Sequence, residues 1–313
     1  VSATQKVQIS PRPESRPSLK ESTRLFSNGW RLFLLFPFCW LAPMKTPSTA
    51  SIRFGNFSEV QAATVAIEGS SNMFMAAEPY YFQDLCVQKR IGKAKPKHAV
   101  VFFHGFPGGG TRGLDLGDAL HTHAGVTTLV VQYGGLGQGR GAFSFLNSVE
   151  MSLAFVKSIQ DSGEYDKISL YGASWGGLVA LNAASRLGTQ LGSLMLASPF
   201  SLLPTPDYAK QLLKELQTEE GYPQSLTTEA ALTDLQVIAQ HYNPRTTVGE
   251  IVAKDGVLLM QARVDTQVPA MVNETLRPLF KTALDYRLVE QDHSFSNRDA
   301  LIQTLIEWIT SRD

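Results

Sequence analysis

From residue 98 onward, short apolar runs rich in β-branched residues alternate with longer segments of helical period. The runs are residues 98–103, 126–131, 168–171, 194–197, 256–260 and 284–289, each flanked by turn-forming residues. Two earlier runs, 64–67 and 80–85, have the same character. Unbroken apolar strands point to burial on both faces, as in a parallel sheet covered by helices. Between them, Leu146, Val149, Leu153, Val156 and Ile159 recur at three- and four-residue steps, which predicts a helix over 145–160. Residues 175–187, 268–280 and 297–311 are similar in length and polarity. The alternation predicts an α/β fold, a mostly parallel sheet flanked by helices with right-handed crossovers.

One interval breaks this rhythm. Nearly sixty residues separate the run at 194–197 from that at 256–260. Pro206 opens one predicted helix, through about Glu219, and Thr228 with Glu229 starts another, through about His241. Residues 201–255 are therefore expected to form a small helical cap insertion over the carboxyl ends of the strands.

Residues 1–29 are rich in Ser, Pro and Arg and carry neither period. The apolar stretch 30–42 is shorter than the roughly 20 residues a bilayer-spanning helix needs, but has the size of a signal-peptide hydrophobic region, with Ser48-Thr49-Ala50 as a small-residue cleavage site. Alternatively, Met44-Lys45-Thr46 resembles a translation start, which would make 1–43 an upstream remnant. Residues 1–50 are read as an N-terminal extension, and 51–313 as the folded domain carrying the insertion. The expected location is cytoplasmic, or secreted or membrane-anchored if 30–42 acts as a signal.

The 28 basic and 28 acidic side chains balance, which favours neither nucleic acid nor an anionic membrane as an obligate partner. A small neutral or modestly polar molecule is the expected ligand. Two cysteines, Cys39 and Cys86, make neither a disulfide framework nor a cysteine-rich metal site, and Cys86 reads as a buried thiol. His, Asp and Glu show no metal-ligand spacing, so no metal or cofactor is expected.

The chemistry centres on Gly172-Ala173-Ser174-Trp175-Gly176, directly after a predicted strand and before a predicted helix. A serine on so sharp a turn projects its hydroxyl from the strand edge, and glycines two residues to either side avoid collisions. A hydroxyl needs a base within hydrogen-bond reach. Of six histidines, His293 alone follows the last predicted strand in a loop before the final helix. For the carboxylate that orients it, Asp265, just past the 256–260 run, is preferred over Glu290 and Asp292, whose closeness in sequence makes them rivals. The backbone N–H groups of Trp175 and Phe106 are the expected donors to a tetrahedral anion. The glycine-rich segment 134–141 fits neither nucleotide-binding spacing and reads as a flexible rim of the active site.

Together, the His104-Gly105-Phe106-Pro107-Gly108 loop, the serine turn, Asp265 before Val268-Pro269, and His293 resemble the α/β-hydrolase superfamily over roughly residues 60–313. The resemblance implies an eight-stranded, mostly parallel sheet and an acyl-enzyme route. It assigns Ser174 as nucleophile, Asp265 and His293 as acid and base, and Phe106 and Trp175 as the oxyanion hole, in the chain order Ser, Asp, His. The His-Gly-Phe-Pro loop is similar to that of epoxide hydrolases, which carry aspartate in place of Ser174. The serine turn and Asp-x-x-Val-Pro also resemble the catalytic domains of prolyl-oligopeptidase-like peptidases, without their propeller. The expected activity is hydrolysis of a small-molecule carboxylic ester. An aminopeptidase or amidase on the same residues is the second reading, and a non-catalytic binding protein of the same fold the third.

Overall fold

A computed structural model of the chain describes residues 78–108 and 113–312. The expectations for the extension 1–50 and for a strand at 64–67 lie outside the described residues. Among the described residues, eight strands form one sheet: β1 (Glu78–Phe82), β2 (Leu85–Arg90), β3 (Lys95–Phe103), β4 (Val126–Gln132), β5 (Lys167–Ala173), β6 (Leu191–Ala197), β7 (Val257–Val264) and β8 (Leu284–Asp292). Their spatial order is β1-β2-β4-β3-β5-β6-β7-β8. The first two strands are antiparallel, and β3 to β8 run parallel.

From β3 to β7 the apolar runs are buried on both faces because both sides of the sheet are covered. Along β3, Val101 and Phe103 join one core cluster while Val100 and Phe102 join the other, as the period of two requires. The same division separates Leu259 from Leu258 and Met260 on β7. One cluster draws on α2 (Phe145–Asp161) and α3 (Trp175–Leu187), the other on α1 (Leu114–Ala124) and α8 (Arg298–Thr310). Nearly every side chain of α3 is buried, because the helix is packed by β5 and β6 on one side and by α2 and the following short helix α6 (Pro244–Thr247) on others.

The insertion holds α4 (Pro206–Leu216) and α5 (Thr228–His241). Pro206 occupies the first turn behind the Thr205 cap, where its missing N–H costs no helical bond. Thr227 accepts from the Ala230 N–H at the start of α5. Asp234 of α5 accepts from Ser144 Oγ (2.8 Å) and the Leu146 N–H (3.3 Å) at the head of α2, and Asn182 of α3 donates to the Tyr242 carbonyl (2.8 Å). These bonds and the burial of Leu213, Leu216 and Ile238 hold the insertion on the α2–α3 face.

Two expected elements differ from those observed. The run 80–85 is not one strand: Gln83 turns at φ 54° and Phe82 pairs with Leu85, so β1 and β2 form a hairpin with a two-residue loop. No glycine or asparagine announced that left-handed position. The helix predicted over 268–280 is only α7 (Ala270–Glu274). Pro278 lacks the N–H that would bond the Glu274 carbonyl, and its ring would strike that oxygen, so the helix ends there. No described helix is long and apolar enough to cross a membrane.

Candidate active site

Ser174 sits between the end of β5 and the first turn of α3 with φ 50° and ψ −118°, a strained conformation for a residue with a side chain. Its backbone is held on both sides. The Ser174 N–H donates to the Ala197 carbonyl (3.0 Å), and its carbonyl accepts from Gly177 (2.9 Å) and Phe200 (2.8 Å). The flanking glycines are required by backbone contact. A Cβ on Gly176 would lie 2.1 Å from the Phe103 carbonyl oxygen, and one on Gly172 would lie 2.3 Å from that of Gly176.

His293 follows β8 directly and its Nε2 lies 2.9 Å from Ser174 Oγ. Its Nδ1 is 2.9 Å from each oxygen of Asp265, whose side chain is fully buried. Burial raises the Asp265 pKa, but the hydrogen bond and charge of His293 and the N–H of Val268 outweigh it and hold the carboxyl below its ordinary value. The loop 265–268 wraps that carboxylate: the N–H groups of Gln267 (3.0 Å) and Val268 (2.7 Å) both donate to Oδ1. Behind His293, Phe295 is buried in the second core cluster and fixes the loop.

The two rival carboxylates are engaged elsewhere. Asp292 accepts from the Ser296 N–H (3.0 Å) and hydroxyl (2.5 Å), and Glu290 pairs with Arg263. Of the other histidines, His98 lies inside β3 against Ser169 Oγ (2.9 Å), His121 and His123 end α1, and His241 ends α5. His104 reaches the cavity beside Ser174, but its Nδ1 lies 2.7 Å from the Gly105 carbonyl and its ring packs on Tyr133.

The loop after β3 passes directly beside the serine. A Cβ added to Gly105 would lie 3.1 Å from Ser174 Cβ, so the backbone leading to Phe106 is at contact distance. Trp175, on the other flank, begins α3, where N–H groups have no intrahelical acceptor. Its ring is pinned by a bond from Nε1 to Ser148 Oγ (2.9 Å) and by the Phe145 ring at 4.6 Å.

The segment 134–141 is not a flexible rim. Gly135 and Arg140 are bonded across it, Arg140 N–H donates to the Asp84 carbonyl (2.8 Å), and a Cβ on Gly139 would sit 1.9 Å from the Tyr133 oxygen. Its glycines serve a tight turn against the β1–β2 hairpin, and none of them lines the cavities at Ser174.

A polar network that sequence reasoning missed lies beneath Asp265. Gln261 Nε2 approaches Asp265 Oδ2 (3.3 Å) and donates to the Val268 carbonyl (3.0 Å). Its Oε1 accepts from Asn273 (2.7 Å), which also bonds the Pro199 carbonyl (3.1 Å) and accepts from Ser201 Oγ (2.6 Å). Its trace in the sequence is Gln261, a polar side chain that follows four apolar residues of β7.

The parallel sheet, the strained serine turn and the carboxylate loop after β7 define an α/β hydrolase. The family model described as serine aminopeptidase, S33, matches residues 94–271, and the chain belongs to that family. No curated protein matches it significantly. Among solved structures, the chain is similar to the monoacylglycerol lipase of Paleococcus ferrophilus, at 18% identity and TM-score 0.57, over 74% of this chain and 100% of that one. It is also similar to Est1E from Butyrivibrio proteoclasticus (18%, TM-score 0.58, 76% and 98% covered) and to the esterase of Exiguobacterium antarcticum (15%, 0.57, 74% and 96%). At these identities the likeness is one of fold.

Proposed function

We propose that the chain is a serine esterase that cleaves small carboxylic esters through an acyl-enzyme. The observation that carries this is the unbroken line from Ser174 Oγ through the His293 ring to Asp265, with 2.9 Å at each junction. His293 Nε2 takes the proton from Oγ as the oxygen attacks the ester carbonyl, and the carbonyl pair moves onto oxygen. The N–H groups of Trp175 and Phe106 receive that anion, each donor of this kind being worth about 2.7–4 kcal/mol in the barrier. The C–O bond to the alcohol then breaks, with the proton passing from Nε2 to the departing oxygen. Water repeats the sequence and frees the acid. Asp265 stays ionised, orients the ring and stabilises its charged form.

A second reading, aminopeptidase action, is favoured by the family match and by Glu219, a carboxylate beyond the end of α4 that lines the cavity at His293 and suits a substrate ammonium group. Two measurements separate them. Fluorophosphonate labelling is expected in the wild type and lost in Ser174→Ala. p-Nitrophenyl esters are expected to turn over faster than aminoacyl anilides; the opposite order establishes the peptidase, and no labelling with no turnover leaves a binding protein.

A further inference from the structure

Ser174 stands between two cavities, one almost wholly apolar and one with mixed polar and apolar walls. One, about 40 Å³, runs beneath the insertion, where Ala209, Leu212, Leu213 and Leu216 of α4 and Leu235 of α5 close it. Its inner walls are rings, Phe106, Phe145, Trp175 and Phe200, packed against one another at centroid separations of 4.6–5.9 Å. The other, about 680 Å³, opens between the heads of α1 and α8. Around it stand Asp115, Asp118, Glu219 and Arg298. Arg298 holds Asp115 through two bonds of 2.8 Å, and Arg90 holds Asp118.

Only the larger of these two cavities is lined by His293. In the reaction proposed above, the departing oxygen must take its proton from His293 Nε2, so the alcohol lies on the His293 side of the serine. The acyl group, bonded to the same carbon, is left the opposite side, which is the apolar slot. A cavity needs roughly 10–15 Å³ of such space to hold a single water, so a slot of about 40 Å³ suits a short group rather than a long chain. Aromatic walls held by tilted and edge-to-face contacts with their neighbours yield little.

Resting on the esterase reading, we propose that the chain acts on short acyl esters, of about two to four carbons, of bulky hydroxylated alcohols such as sugars or polyols. The acyl length is set by Leu213 and Leu216 closing the slot. The alcohol is received by the fixed donors and acceptors at the heads of α1 and α8.

The test uses the full chain and p-nitrophenyl acetate, butyrate, octanoate and dodecanoate. The expected kcat/KM falls at least tenfold between butyrate and octanoate. Leu213→Ala is expected to recover octanoate at least fivefold against butyrate, and Ala209→Val, which narrows the slot, to depress butyrate against acetate. For the alcohol side, 6-O-acetylglucose and hexyl acetate share an acyl group and a primary alkoxide, and the sugar ester is expected to be cleaved at least tenfold more efficiently. A wild-type profile that is flat or rising to dodecanoate overturns the acyl assignment whatever the variants do. A preference for hexyl acetate overturns the alcohol assignment. In both cases fluorophosphonate labelling of Ser174 leaves the esterase reading standing, whereas no labelling and no ester turnover overturns both.

Discussion

The strand-end platform and the helical insertion meet at Ser174 but are built on different principles. On the platform, position is fixed by backbone. Ser174 is tied to Ala197, Gly177 and Phe200, Asp265 is wrapped by its own loop, and Gly172 and Gly176 allow main chains to pass where no Cβ fits. In the insertion, position is fixed by side chains: a stripe of leucines facing inward, capped helix starts, and a few polar anchors such as Asp234. Chemistry that depends on tenths of an ångström belongs on the first kind of support, because displaced catalytic groups lose rate steeply. Selectivity by volume suits the second, where exchanging one leucine alters a cavity and leaves the reacting atoms in place.

The largest effect should come from breaking the platform electrostatically. Asp265→Asn keeps the shape but gives His293 Nδ1 an amide instead of a carboxylate, and kcat for p-nitrophenyl acetate is expected to fall about 10⁴-fold. The same variant reports on stability. Because the folded carboxyl is held below its ordinary pKa, its contribution is fully present above about pH 4 and disappears as pH falls through the lower folded value. The stability difference between wild type and Asp265→Asn should therefore shrink below pH 4 in urea titrations. A difference that grows on acidification below pH 4 contradicts the direction assigned to Asp265.

A steric break comes next. Gly176→Ala drives a methyl into two main-chain oxygens, those of Phe103 at 2.1 Å and His104 at 2.6 Å, neither of which has a rotamer to offer. A loss of about 3 kcal/mol or more is expected in denaturant unfolding. Gly249, inside the insertion, provides the contrast. It has ordinary φ, and its nearest neighbours lie at 3.5 Å, so Gly249→Ala should change stability by no more than about 0.5 kcal/mol. Equal penalties at the two sites would remove the distinction between the regions.

The difference also explains what could be read from the chain. The serine turn was legible because its requirements are local: a strand, glycines at fixed offsets and a helix, all within one stretch around residue 174. His293 and Asp265 followed from their order along the strands, and α5 was placed at its observed ends by Thr228 with Glu229 at its start and His241 at its end. The β1–β2 hairpin was hidden because a glutamine takes the left-handed position. The segment 134–141 was misread because close approach of its glycines to Tyr133 and Asp84 is a tertiary fact. The Gln261–Asn273–Ser201 network joins three separate stretches, and no local pattern encodes it. Which leucines close the slot depends likewise on how α4 packs against α5, information spread over the whole insertion.

The smallest effect concerns the anchor between the insertion and α2. Asp234 accepts from the Ser144 hydroxyl, while Ser144 Oγ itself accepts from the Asn147 N–H, so one carboxylate supports a helix cap on a different element. Asp234→Ala removes the outer bond but leaves the cap able to bond water, since the site is only half-buried. About 0.5–1.5 kcal/mol of stability should be lost, with Asp234→Asn recovering part of it through the amide oxygen. Turnover of p-nitrophenyl acetate should stay within twofold, because neither Ser174 nor His293 is bonded to this anchor. Loosening α5 acts instead on Leu235, which lines the slot. The discriminating reading is therefore the ratio of octanoate to acetate turnover, expected to rise a few-fold. If acetate turnover collapses while the chain remains folded, insertion and platform are one mechanical unit, and the division of labour drawn between them is wrong.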